Sequence, residues 1–180
     1  MMDDALIIKQ TRHWVETLVV GLNFCPFAKK ELANTRYQVC HQSGMVQAVE
    51  RLLEECDFLD AHPEIVTSLL ILPHFADFEL YLQLLDEANL SLDNNALRGT
   101  YQLASFHPEY WFEGEAKDSP AHFTNRAPFP VLHLLRESSI ELAVAKFRDP
   151  QNIPTRNIAT AQKLGREQLQ AMLEACKQQS

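Results

Sequence analysis

The stretch IVTSLLIL at positions 65–72 is apolar almost throughout, and Pro73 closes it. A strand with one wet face alternates polar and apolar residues, whereas a run such as this must be covered on both faces. It therefore reads as the central strand of a sheet with helices on each side. It is far shorter than the ~20 residues a membrane helix needs. A chain of 180 residues at 46% hydrophobic supplies one core, and we read residues 1–180 as a single globular domain.

The flanking pattern fits that demand. Asp3 and Asp4 open a helix in which Ile7, Trp14, Leu18 and Leu22 recur, with Gly21 as its stop. Pro26 suits a first helical position, which makes Cys25 the N-cap of a short second helix. Tyr37, Val39 and His41 alternate with Arg36, Gln38 and Cys40 as in a half-buried strand, ended by Ser43 and Gly44. Met45, Val49, Leu52, Leu53, Cys56 and Leu59 form the inner face of a helix, with Glu50, Glu54, Glu55 and Asp57 on its solvated side. Beyond the central strand, residues 77–89 read as a helix, and DNNALRG at 93–99 is turn chemistry leading into a strand at 100–106. Residues 130–147 read as a helix, and Pro154 starts a last one ending near Lys177. Strand, helix, strand, helix, strand implies right-handed crossovers. The expected fold is α/β, a small, largely parallel three-stranded sheet packed with helices, with extra C-terminal helices. An antiparallel third strand would make it α+β with a mixed sheet.

Charge and motifs exclude several functions. A net charge of −8 and a pI near 5.3 leave no broad positive field, so no nucleic acid partner is expected. No apolar stretch is long enough for a membrane span, and MMDDALIIKQ opens with acids where a secretory signal carries positive charge, so a cytoplasmic protein is expected. The four cysteines form no CxxC pair and sit among apolar neighbours, which points to reduced thiols. GxGxxG, Walker, GxSxG and HExxH patterns are absent, so no cofactor is expected.

Three places carry chemistry. In an open parallel sheet, ligands bind beyond the carboxyl ends of the strands. His41, His74 and His107, spaced 33 residues apart, each lie just after a strand there. They would either hold a divalent metal or cap carbonyls and face water. Cys25 precedes Pro26 and is followed by Lys29 and Lys30, and a helix N-terminus beside positive charge would activate its thiol. Phe24 and Phe27 flank it, however, and argue strongly for a buried packing role. Ala28 stands where a dithiol motif has its second cysteine, which excludes a redox cycle within that motif. Third, residues 106–138 begin with a long segment lacking periodicity yet rich in aromatics, which must fold back onto the body. There Asn125 and Arg126 precede a proline-led helix on which His133 and Arg136 share one side, an arrangement suited to anions. Arg126 and Arg136 would otherwise pair with Glu113, Glu115 or Glu137.

The leading expectation is a small-molecule enzyme with a small anionic substrate as partner. Cys25 would be the nucleophile and His107 or His133 the base, while Asn125, Arg126 and Arg136 hold a carboxylate or phosphate. One alternative is a non-catalytic binding or adaptor protein whose aromatic loop 107–128 docks through Tyr110, Trp111 and Phe112. A further one is a His-ligated metal protein.

The blocks GLNFCPFAKK, ASFHPEYWFEG and TNRAPFPVLHLLRE resemble, in order and spacing, the bacterial family of unknown function DUF1415. The likeness extends from Trp14 to the last helix. It implies a soluble bacterial protein and brings no substrate, cofactor or catalytic residue. The blocks contain Cys25, His107, Asn125, Arg126, His133 and Arg136, whereas His41 and His74 fall outside them.

Overall fold

The three expected strands are present in the computed structural model, which describes residues 3–179, and a fourth joins them. They are β1 (Thr35–Val39), β2 (Thr67–Ile71), β3 (Tyr101–Phe106) and β4 (Val131–Arg136). Among the described residues they form one sheet of order β1-β2-β4-β3, in which β1 and β2 are parallel and β4 is antiparallel to both β2 and β3. Thus β1, β2 and β3 run the same way, and β4 fills the slot between β2 and β3 in reverse. The architecture is α/β in type, with a mixed sheet of four strands where three largely parallel ones were expected.

The fourth strand corrects the reading of residues 130–147 as one helix. That segment is β4 followed by α5 (Glu137–Ala145). Leu132 pairs with Leu70 and Leu134 with Ser68, and both leucines are fully buried. Pairing on two sides decides for strand where an apolar run alone is ambiguous between strand and helix. In a strand, residues three apart point to opposite faces, so His133 and Arg136 do not share a side.

All five positions of β2 are buried, as its composition demands. Leu70, with Leu132, Leu134 and Tyr101, belongs to an apolar cluster shared with α3 (Met45–Ala61) and α4 (Phe78–Asn94). Leu69 and Ile71, with Tyr37, Val39 and Val131, belong to a second cluster on the other side. Its cover is α1 (Asp4–Trp14), the π-helical turn Val15–Val20, the 3-10 turn Pro120–Thr124, α6 (Ile153–Leu164) and α7 (Arg166–Lys177). Each fully buried Leu or Ile in such a layer stabilises the fold by about 1.5–3 kcal/mol. No helix of the described residues is long and apolar enough to cross a membrane.

One residue on α3 departs from its expected place. Glu50, Glu54 and Asp57 are exposed, but Glu55 is fully buried beneath the helix. Its carboxylate accepts from Arg36 Nε at 2.8 Å, Arg51 Nη2 at 2.7 Å and Ser68 Oγ at 2.7 Å. Burial alone would raise its pKa, but the two guanidinium groups and the hydroxyl outweigh burial and hold it below the usual carboxylate value. A charged side chain is tolerated here because every lone pair faces a donor.

Candidate functional site

Cys25 is delivered by an unusual local path. Helix α1 runs into the π-helical turn, where Gly21 N donates to Glu16 O at 3.1 Å, five residues back. A Cβ at position 21 would stand 2.1 Å from the Thr17 carbonyl oxygen, so only glycine fits. Asn23 then takes φ +56, and the amides of Phe24 and Cys25 both donate to Val19 O, at 2.9 and 3.3 Å. The second helix, α2 (Ala28–Glu31), is a single turn whose N-cap position is Phe27. Cys25 is therefore not its cap, and one turn has no dipole worth the name. Cys25 is partly exposed while Cys40, Cys56 and Cys176 are buried. Burial raises the pKa of those three thiols, that of Cys56 to about 12.

The histidines separate into different tasks. Since β1, β2 and β3 share a direction, His41, His74 and His107 do follow strand ends at one edge, but they do not converge. His41 is exposed and bonds Asp4 Oδ1 at 2.6 Å, and His74 is exposed. His107 is fully buried. Its Nε2 donates to Phe75 O at 3.1 Å and its Nδ1 accepts from Glu109 N at 3.0 Å. Only the neutral ring serves both partners, and burial foremost holds its pKa below the ordinary value. With both nitrogens engaged, His107 braces the long loop against the β2–α4 connection and has no lone pair for a substrate proton. Among the described residues, no group of three or more His, Cys, Asp or Glu is placed to hold a metal ion.

His133 sits on β4 with Nε2 2.6 Å from Thr67 Oγ1, which itself donates to Leu134 O at 2.7 Å. Burial pushes its pKa down to about 4, so the imidazole is neutral at pH 7. Among the described residues no hydrogen bond joins Cys25 Sγ to an imidazole. Sequence reasoning passed over His122. It is buried, accepts from Phe112 N at 3.1 Å and donates from Nε2 to Ala116 O at 2.8 Å, closing the aromatic loop on itself. Nothing in its neighbours marks that role, because both partners are backbone groups.

The three expected anion ligands also part company. Asn125 donates from Nδ2 to Ser105 O at 3.0 Å, and its own carbonyl accepts from His107 N at 3.1 Å. It anchors the loop to the end of β3. Arg136 donates from Nε to Ile65 O at 3.1 Å and from Nη1 to Tyr101 OH at 3.3 Å. Its Nη2 donates to the carbonyls of Leu59 and His62. Its guanidinium thus closes the carboxyl end of α3, where carbonyls lack helical partners.

Arg126 is different. It is half-buried, donates from Nε to Tyr110 O at 3.1 Å and lies with Cζ 4.5 Å over the Phe123 ring. No carboxylate pairs with it among the described residues, and its two Nη groups have no partner there. Burial lowers its pKa, the charge of Arg166 lowers it further, and Glu109 opposes both. Arg166 is the first residue of α7, whose start has Gly165 at φ +80 and no side-chain cap. Two guanidinium groups thus lie within electrostatic reach of each other, beside uncapped helix amides.

A family model described as "Protein of unknown function (DUF1415)" matches residues 6–171, most of the chain. No curated protein and no solved structure matches it.

Proposed function

We propose a function from this geometry alone, because the chain belongs to DUF1415, a family of proteins of unknown function. The protein binds a small molecule through a carboxylate or phosphate held between Arg126 and Arg166. The observation that carries this reading is the pair of Arg126 Nη groups without a partner among the described residues, on a half-buried guanidinium that feels the charge of Arg166 more strongly than that of Glu109. Desolvating a cation costs several kcal/mol, and a like charge nearby adds to the cost. An anion bridging the two cancels both, and the planar Nη groups suit a bidentate oxyanion. The amides of the first turn of α7 would add donors on the same side. Among the described residues no hydrogen bond joins Cys25 to His133, so the reading is confined to binding.

The test is a thermal-shift and calorimetric titration of the whole chain with inorganic phosphate, pyrophosphate and simple di- and tricarboxylates. One class should raise the melting temperature in a salt-sensitive manner, and Arg126→Gln and Arg166→Gln should each abolish the effect. Arg98→Gln should not, since Arg98 is exposed and paired with Asp93. Without ligand, Arg166→Gln should be as stable as the parent or more so, because it relieves repulsion. Equal response to every anion, or binding that survives both substitutions, would overturn the reading.

A further inference from the structure

We propose that the groove between α3 and α4 is the docking site for a basic, amphipathic helix of a partner protein. The groove has a volume of about 290 Å³ and is lined by Met45, Val46, Val49 and Leu53 of α3 and by Leu90 of α4, with Glu50 and Glu87 among them. Val46 is 64% and Leu90 52% exposed, so two of the most exposed large apolar side chains of the molecule stand in one groove. Exposed apolar side chains scattered singly need no explanation, whereas their convergence in a concavity marks a contact site.

Charge identifies the occupant. Helix α3 carries Glu50, Glu54, Glu55, Asp57 and Asp60, and α4 carries Glu79, Asp86, Glu87 and Asp93. The only base on either is Arg51, which is spent on Glu54 and Glu55. This excess of acid matches the net charge of −8 of the entire chain, so the remainder of the molecule is balanced. An acidic face repels a second copy of itself and attracts a cationic partner. A groove between two helices receives apolar side chains from a third helix at positions i, i+3, i+4 and i+7. Lysines or arginines flanking that stripe would meet Glu50 and Glu87. The face lies on the opposite side of the sheet from the apolar layer that includes Phe123 and Leu169, so docking and anion binding are separable.

The probe is a fluorescein-labelled synthetic helix of leucine and lysine with one apolar stripe, titrated with the whole chain and read by fluorescence anisotropy. Binding is expected at low salt and should weaken about tenfold or more as ionic strength rises past the range where surface charges are screened. The double substitution Val46→Asp, Leu90→Asp adds two negative charges while removing the apolar contacts. Docking in the groove predicts at least tenfold weaker binding for that variant, whereas simple charge attraction predicts equal or tighter binding. Glu50→Lys with Glu87→Lys should also weaken it at least tenfold. Glu79→Lys, outside the groove lining, should weaken it far less. No binding, equal binding of a scrambled peptide lacking the stripe, or tighter binding by the aspartate variant would each overturn the proposal.

Discussion

Thr67 Oγ1 lies 2.6 Å from His133 Nε2 while giving its own proton to the Leu134 carbonyl at 2.7 Å. A hydroxyl has one proton to donate, so the imidazole is the donor to Thr67, and burial keeps its ring neutral.

Acid should therefore unfold this protein in a defined window. With the folded pKa near 4 and the ordinary value 6.5, the unfolded chain takes up the proton first as pH falls. Stability from this group is complete above 6.5, declines between 6.5 and 4, and the total loss is roughly 3 kcal/mol. His107, also depressed, adds to the same limb in the same direction. Urea unfolding across that range should show a slope shallower by about one proton for His133→Gln than for the parent. An unchanged slope would assign the acid limb to other groups.

The aromatic loop should be freed by removing one ring. His122→Ala leaves the Phe112 amide and the Ala116 carbonyl without their partner, at about 1–3 kcal/mol each where burial is retained. Lys117 is exposed within that closed loop. Trypsin should cut after Lys117 markedly faster in the variant, with the rest of the chain resistant. Equal cutting rates would show that the loop is held by its aromatic contacts alone.

Two adjacent glutamates on α3 should behave in opposite ways. Glu55→Ala strands Arg36 and Arg51 beside a buried cavity and should cost about 3–5 kcal/mol. Glu54→Ala removes an exposed pair with Arg51 and should stay within about 0.5 kcal/mol of the parent. Chemical denaturation of both variants decides this, and similar losses would contradict the buried geometry of Glu55.

Gly21→Ala should destabilise by about 1–3 kcal/mol, because the new methyl meets backbone that cannot step aside as a side chain would. Thermal unfolding measures it. A variant as stable as the parent would mean that the π-helical turn reverts to an ordinary α-helix without loss.

One thiol should stand apart. In the folded chain Cys25 should alkylate with iodoacetamide, while Cys40, Cys56 and Cys176 react only after unfolding. Peptide mass spectrometry resolves the four sites. A Cys25 that stays unlabelled until the chain unfolds, together with the other three, would place it in the core.

Much of the fold was legible because local pattern and tertiary demand agreed. The continuous apolar run of β2 announced a strand covered on both faces, and the inner stripe of α3 followed helical spacing. The sequence PVLHLLRESSIELAVAKF misled because its leucines satisfy a helical period as well as a strand one, and only pairing with β2 and β3 arbitrates. Glu55 was assigned to water because it sits amid acids, and its partners Arg36 and Ser68 lie on other elements. The site was less legible than the fold. Asn125, Arg136 and His107 have the residue types of ligands and bases, yet each is bonded chiefly to backbone groups distant in sequence. Both Nη groups of Arg126 are without a partner among the described residues, and Arg166, whose charge it feels, is 40 positions along the chain.

The reversed strand β4 also governs the order in which the chain can assemble. While a ribosome is still making the C-terminal third, β2 and β3 have no partner between them and each presents an open edge. The layer under α3 and α4 lacks Leu132 and Leu134 until β4 has emerged, and the other layer lacks Leu169, Leu173 and Cys176 until α7 has followed, so the nascent chain carries unpaired edges through the aromatic loop. A chain broken off before Val131 lacks the strand that joins β2 to β3, and both are left with an open edge where the whole chain has a continuous sheet.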